Sequence, residues 1–338
     1  MKQTAENATA GPRIVAWQRR LPWLIAGACF TLLYYRLSAA AARAGSPLPD
    51  YFADVFRRVS WSTWLAFMLP YSVFYFAVDS LVVWRVVNWF NARVPYRNVL
   101  PVRASTYILS LLNEQVGKGA MAFYLNRREG VPGWQVASSM LFLMFCEFYY
   151  LLGWATLGTV LRGHELPPVF SVMPVLASSA GIGFLLFYAY ARGFLWKRHS
   201  LRERALFHTF RRARLRHYAG ILLLRSPAML AAAFVYTSAL ELFGVTLSYA
   251  KMLAYLPIVF FGAAVPGPLR TVAITLWVEL FPEHAGELAA FGFVQHNFFI
   301  FFNAAIGLLF LRRAQREIFS SATHTTASEC ETPPKASL

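Results

Sequence analysis

The sequence predicts an all-α polytopic membrane protein with six transmembrane helices and two re-entrant or broken helical hairpins, laid out as an inverted repeat. Three observations carry this reading. The chain is 57% apolar, 17% aromatic and only 14% charged, whereas soluble domains hold about a quarter charged residues. Six runs are long enough to cross a hydrocarbon core of roughly 30 Å, which takes about 20 apolar residues. Two further apolar runs are broken by polar residues, glycine and proline. Once these runs are removed, no sizeable soluble domain remains.

The elements follow in order. Residues 1–12 form a polar tail expected to be disordered. The first span is expected at 21–38, with Trp23, Tyr34 and Tyr35 as interfacial anchors. The small residues Ala39 to Ala44 imitate a signal-peptide cleavage site, but the anchors favour a retained helix. Further spans are expected at 61–86, 135–161, 169–191, 219–243 and 288–311. Trp61, Trp64, Trp84, Trp89, Trp134 and Trp196 fall at or near their ends, where aromatic belts sit. The first broken run covers 100–125 and is interrupted by Asn113, Glu114, Gln115, Gly117, Lys118 and Gly119. The second covers 250–280 and is interrupted at Pro257 and from Pro266 to Arg270. Residues 318–338 are Ser/Thr-rich and cannot bury enough surface to fold alone. The transmembrane domain is thus 13–317, including a basic connector at 192–218.

Charge sets the expected orientation. Arg13, Arg19 and Arg20 place the N-terminus in the cytoplasm by the positive-inside rule. Nine Lys/Arg between Arg192 and Arg216 place the connector there as well, and Arg312, Arg313 and Arg316 do the same for the C-terminus. Six spans satisfy all three assignments. Counting one broken run as a crossing would expose a basic loop outside, so each is expected to enter and leave on one side. Irregular backbone at membrane depth is tolerated only when buried in protein or lining a wet cavity. Pro266 and Pro268 offer no N–H group and Gly267 bends freely, which suits a hairpin tip. Gly117 and Gly119 suggest a similar bend in the first hairpin. Paired broken segments in opposite orientation point to a transport site near the midplane.

Several polar residues fall within these runs. Lys118 has Glu114 one helical turn before it; it either holds a ligand or snorkels to the interface. Arg270, beside the second break, offers a planar fork of donors for a phosphate. The helix restarting there would add its N-terminal N–H groups. The alternative is an interfacial Arg, or one paired with Glu279 or Glu241. Glu147, well inside the third span, reads as a charge partner or proton relay for Lys118 or Arg270, or else as half of a structural ion pair. Asp79 and Glu241 are ambiguous, and Arg225 is expected to snorkel. His296 and Asn297 suit a helix–helix hydrogen bond. Leu206, Phe207, Phe210 and Ala213 form an apolar stripe on the basic connector, expected to lie on anionic lipid.

Other function classes find less support. The three cysteines are scattered, and Cys29 and Cys146 lie in apolar runs, so packing is their expected role. No metal-ligand spacing occurs, and no cofactor is expected. The net charge of +16 is spread between spans, which suits anionic lipid rather than nucleic acid. No nucleophile elbow, P-loop or zincin motif is present, so no catalytic residue is assigned and the chain is not expected to be an enzyme; an unusual membrane transferase is the weakest alternative.

Two motifs carry a resemblance. The stretch GKGAMAFYLNRREGV, from Gly117 to Val131, and the stretch LPIVFFGAAVPGPLRT, from Leu256 to Thr271, resemble the flippase-like transmembrane domain of lysylphosphatidylglycerol synthases. The layout of about residues 14–315 is similar to that domain as well. Glu147 looks like the acidic residue of the family's helix after the first motif. The chain differs at the family's two acidic motif positions, which hold Lys118 and Ala273, and at a glycine position, which holds Arg270. The resemblance implies a bacterial inner-membrane protein. It implies no lysyl transfer, because only a short tail follows the last span. The expected role is to bind or translocate an anionic phospholipid or polyprenyl-linked lipid, with a lipid-linked saccharide as one form of cargo. The alternative is a non-transporting scaffold for a lipid-modifying or glycan-assembly enzyme, using small-residue faces such as Ala231 to Ala233.

Overall fold

The computed structural model describes residues 12–112, 114–195, 203–265 and 270–319, with the side chains of 12–23, 109–120, 128 and 317–319 outside that description. The described residues form α-helices joined by short turns, with no strand among them. Six of the helices are long and apolar enough to cross a membrane, and the chain is an all-α polytopic membrane protein. They are α1 (Pro12–Arg43), α3 (Trp61–Phe90), α6 (Gly133–Arg162), α7 (Met173–Arg192), α9 (Leu215–Glu241) and α12 (Ala285–Phe319). Each overlaps one of the six expected spans. Between α1 and α3 lies a short amphipathic helix, α2 (Leu48–Arg58).

The two broken runs are helical pairs. The first is α4 (Tyr96–Leu112) and α5 (Glu114–Glu129). The second is α10 (Tyr249–Ala264) and α11 (Thr271–Leu280). At 1.5 Å per residue, the 16 residues of α10 and the 10 of α11 reach roughly 24 and 15 Å, each short of the hydrocarbon core.

Some of the expected breaking residues do not interrupt a helix. Helix α5 begins at Glu114 and runs through Gly117 and Gly119, while Asn113 lies outside the described residues. Glycine lowers helix propensity by only about 1 kcal/mol, which packing overrides. Helix α10 likewise runs through Pro257. Pro266, Gly267 and Pro268 lie outside the described residues, as do 1–11 and 320–338 of the two tails.

The chain divides into two compact units. The first holds residues 1–71, 151–177 and 229–298, and so contains α1, α2, α10 and α11. The second holds 72–150, 178–228 and 299–338, and contains α4, α5 and the connector helix α8 (His208–Arg212). Helices α3, α6, α7, α9 and α12 contribute residues to both. Each unit therefore includes one hairpin.

In the first unit, Leu33 and Ala40 of α1 pack with Ile274 and Val278 of α11 and with Ala285 and Ala289 of α12. Two glycines permit the closest approaches. A Cβ on Gly158 of α6 would strike the backbone of Leu253 and Ala254 in α10, and one on Gly262 of α10 would meet Leu276 and Ala273 of α11. In the second unit, a larger core joins Val82, Val83, Val86 and Val87 of α3 to Val102 of α4, Tyr124 of α5, Phe142 of α6 and Ile221 of α9. Cys146 is buried in the same core.

The connector also departs from expectation. Phe210 and Ala213 of its apolar stripe are buried in the second unit's core, and Phe207 packs against it. Ser138 of α6 donates to the Leu206 carbonyl at 2.7 Å and accepts from the Thr209 amide at 2.9 Å. The stripe thus serves the protein's own interior rather than a lipid surface. Buried polar anchors that pair with the backbone fix such a segment without leaving orphan groups.

Candidate functional site

Polar side chains gather among the membrane helices of each unit. Those of the second unit include a four-residue charge network. Asp79 of α3 accepts a hydrogen bond from Nε of Arg103 at 2.7 Å and another from the Tyr107 hydroxyl at 2.6 Å, both on Oδ2. Its Oδ1 faces Nη2 of Arg225 at 3.5 Å. Nη1 of Arg225 donates to Oε1 of Glu147 at 2.8 Å. The network ties α4 to α3, and α9 to both α3 and α6.

Its electrostatics balance. Two guanidinium groups face two carboxylates, so no net charge is held in the apolar surroundings. Arg103 also lies 4.8 Å over the ring of Tyr107, which adds a cation–π contact. Burial is uneven: the Asp79 side chain is 7% exposed and that of Glu147 is 43%. Nε of Arg225 is buried without a hydrogen-bond partner.

Two expectations change here. Arg225 does not snorkel; its side chain is 13% exposed and bridges both carboxylates. Glu147 takes this arginine as its partner. Arg103, which sequence reasoning passed over, completes the site. Lys118 and Glu114 are positions on α5, and their side chains lie outside the described residues.

The first unit's site forms at the start of α11. Arg270 is the residue before the helix and has a left-handed backbone, φ 53° and ψ 38°. This is the uncommon region for a residue with a Cβ. Its Nη1 donates to the Ala263 carbonyl at 3.1 Å, satisfying one of the open carbonyls at the end of α10. It therefore staples the two arms of the hairpin. Glu279, one of the alternative partners considered for Arg270, accepts both hydrogen bonds of a bidentate pair from Arg36 of α1, at 2.9 and 2.8 Å.

Helix α12 faces this point. Gly292 packs against Ile274 and Trp277 of α11. One turn further along α12, His296 comes within electrostatic range of Arg270, and Gln295 is its neighbour in the helix. Gln295 is 0% exposed and His296 4%. Both side-chain atoms of Gln295, Nε2 of His296 and the Thr271 hydroxyl have no hydrogen-bond partner among the described residues. Asn297 bonds within its own helix, donating to the Phe293 carbonyl. Among the described residues, neither His296 Nε2 nor the Asn297 amide makes the helix–helix hydrogen bond expected of this pair.

Each buried polar atom left without a partner costs about 1–3 kcal/mol. The Thr271 hydroxyl stands in the first turn of α11, whose first N–H groups have no intrahelical partner, and His296 stands within electrostatic range of the Arg270 guanidinium. Such a place can accept an anionic group: the helix end and Arg270 supply positive potential, and Thr271, Gln295 and His296 supply donors. Among the described residues no group of His, Cys, Asp and Glu could hold a metal ion. No protein-family model, curated protein or solved structure matches the chain.

Proposed function

We propose that this protein binds or translocates an anionic lipid or lipid-linked saccharide across the bacterial inner membrane, as a divergent relative of the flippase-like domains its two motifs resemble. One observation carries the reading. A helix N-terminus inside a membrane protein, flanked by Arg270, lies in the same unit as buried polar side chains that have no hydrogen-bond partner among the described residues. A phosphate matches this set, because it accepts several hydrogen bonds and its charge complements the helix end. Lys118 is proposed as a second, separate phosphate ligand on α5. Glu147, the most exposed member of the charge network, is proposed as the charge partner that Arg225 can release. Both termini would face the cytoplasm.

Lipid exchange in reconstituted liposomes tests this. Head-group-labelled phosphatidylglycerol and polyprenyl phosphates would be supplied, with Arg270→Ala and Gln295→Leu beside the parent. The parent should exchange at least one of these lipids faster than empty liposomes, and each substitution should slow it by about tenfold or more, as expected for loss of a charged hydrogen bond worth roughly 1.5–3 kcal/mol. Exchange that both variants retain in full, or no exchange by well-folded parent protein, would overturn the proposal.

A further inference from the structure

A cavity of about 630 Å³ opens in the first unit, where α6 ends and where the α10–α11 hairpin begins and finishes. That volume lies within the range of small-ligand sites, roughly 300–1,000 Å³. Its polar lining comes from His164, Glu165, Lys251, Glu279, Glu283 and His284.

The pairing of these charges limits what the cavity can take. Glu165 accepts from Lys251 Nζ at 2.8 Å and from Arg162 at 2.7 Å. Glu279 is held by Arg36. Arg36, Arg162 and Lys251 thus balance Glu165, Glu279 and Glu283, and every one of these cations is already on a carboxylate. Among the described residues, an anionic group would find Arg36, Arg162 and Lys251 all committed to carboxylates, and a strong cation would find only Glu283 without an ion pair. What remains is hydrogen-bonding capacity. A carboxylate has about four lone-pair sites, so Glu165 and Glu279 retain acceptors in orientations fixed by their basic partners. Lys251 and the His284 imidazole add donors, while His164 Nε2 lies 3.4 Å from Glu165 Oε1. Fixed donors and acceptors with little net charge suit a neutral polyhydroxylated group.

We infer that this cavity binds the saccharide portion of the cargo, which assigns the lipid-linked saccharide rather than a simple anionic phospholipid as the substrate class. The inference builds on the lipid role proposed above, but the two sites are separable. Helix α11 has 10 residues, so at 1.5 Å per residue Arg270 and the cavity rim lie roughly 15 Å apart, at its opposite ends. A phosphate and a sugar would occupy distinct stations.

The experiment is binding of free sugars to the full-length protein in detergent. The probes are mannose, N-acetylglucosamine and maltose, followed by saturation-transfer NMR, with inorganic phosphate and choline as controls. At least one sugar should bind, and Glu283→Gln should weaken it about fivefold or more. Leu247→Trp, which fills the cavity from its wall, should abolish it. Arg270→Ala should leave sugar binding unchanged while slowing lipid exchange. Saturation by phosphate or choline with no sugar binding would overturn the inference, as would sugar binding that survives Leu247→Trp. If no sugar binds while lipid exchange persists, the cavity assignment fails and the lipid role stands. If sugar binds but no lipid is exchanged, the cavity assignment stands and the lipid role fails.

Discussion

At the scale of single residues, the membrane interior makes charge a pairing problem. Arg36, Arg103 and Arg225 each lie on a membrane helix or hairpin arm, and each is matched to a carboxylate on another helix. Removing one partner of a buried pair strands the other, which costs about 3–5 kcal/mol, whereas replacing both with apolar groups can be neutral. Asp79→Ala leaves Arg103 and Arg225 without their shared carboxylate, so it should destabilise the detergent-solubilised protein by that order. Glu147→Gln should cost less, because the Glu147 side chain is 43% exposed and solvent or headgroups can compensate. Thermal unfolding of the two variants checks the order, and a larger loss for Glu147→Gln would refute it. The same residues show what the sequence could not display. Glu147 was legible because a lone carboxylate in a long apolar run stands out. Arg225 was misread because hydropathy sees only its nearness to a span end, where snorkelling is the ordinary outcome. Arg103 sits in a short polar stretch of α4, and only the fold reveals that Asp79, 24 residues earlier, shares its surroundings. Thr271 and Gln295 carried no local signal at all, since a buried polar residue is conspicuous only once its missing partners are known.

At the scale of elements, the spans were legible and the hairpin details were not. Hydropathy is a local sum, so six long runs survive any error in individual contacts. A break is different, because Gly or Pro lowers helix propensity without ending a helix that packing supports. Pro257 and Gly117 remain helical for this reason. Where glycine does decide structure here is in close approach. Gly158 has the α10 backbone where its Cβ would go, whereas a Cβ on Gly153, also in α6, meets nothing within 4 Å. Backbone cannot step aside as a flexible side chain can. Gly158→Ala should therefore push α10 from α6 and cost about 1–3 kcal/mol, the range for overpacking, while Gly153→Ala should be near neutral or slightly stabilising. Unfolding temperatures measured side by side decide it, and equal effects would mean that α6 and α10 do not pack as described. Since α10 carries Lys251 and forms part of the cavity wall, the same displacement should weaken sugar binding.

At the scale of the whole molecule, the open choice is how each hairpin meets the membrane. Neither α10 nor α11 is long enough to cross alone, yet joined end to end as one broken span they would be. The two cases place their flanks differently. A re-entrant hairpin leaves Thr246 and Glu283 on one side, together with His164, whereas a broken span separates them. The basic residues argue for the first case, since an added crossing would put either the connector, with Arg204, Arg211 and Arg212, or the arginines ending α12 on the outer side. Single cysteines at these exposed positions, in a chain lacking Cys29, Cys146 and Cys330, can be tested with a membrane-impermeant thiol reagent on intact spheroplasts. Thr246→Cys, Glu283→Cys and His164→Cys should label from outside. Arg93→Cys and Glu129→Cys, which flank the other hairpin, should label only after permeabilisation, as should Arg204→Cys. Protection of Glu283→Cys alone would make α10 and α11 a broken span. The polar tip at Arg270 would then lie along a crossing path, and the two ends of the pair would face different compartments, whereas the rings of Tyr255 on α10 and Phe281 after α11 are 4.4 Å apart. The labelling pattern thus tests in the membrane the side-by-side packing that joins Gly262 of α10 to Ala273 of α11.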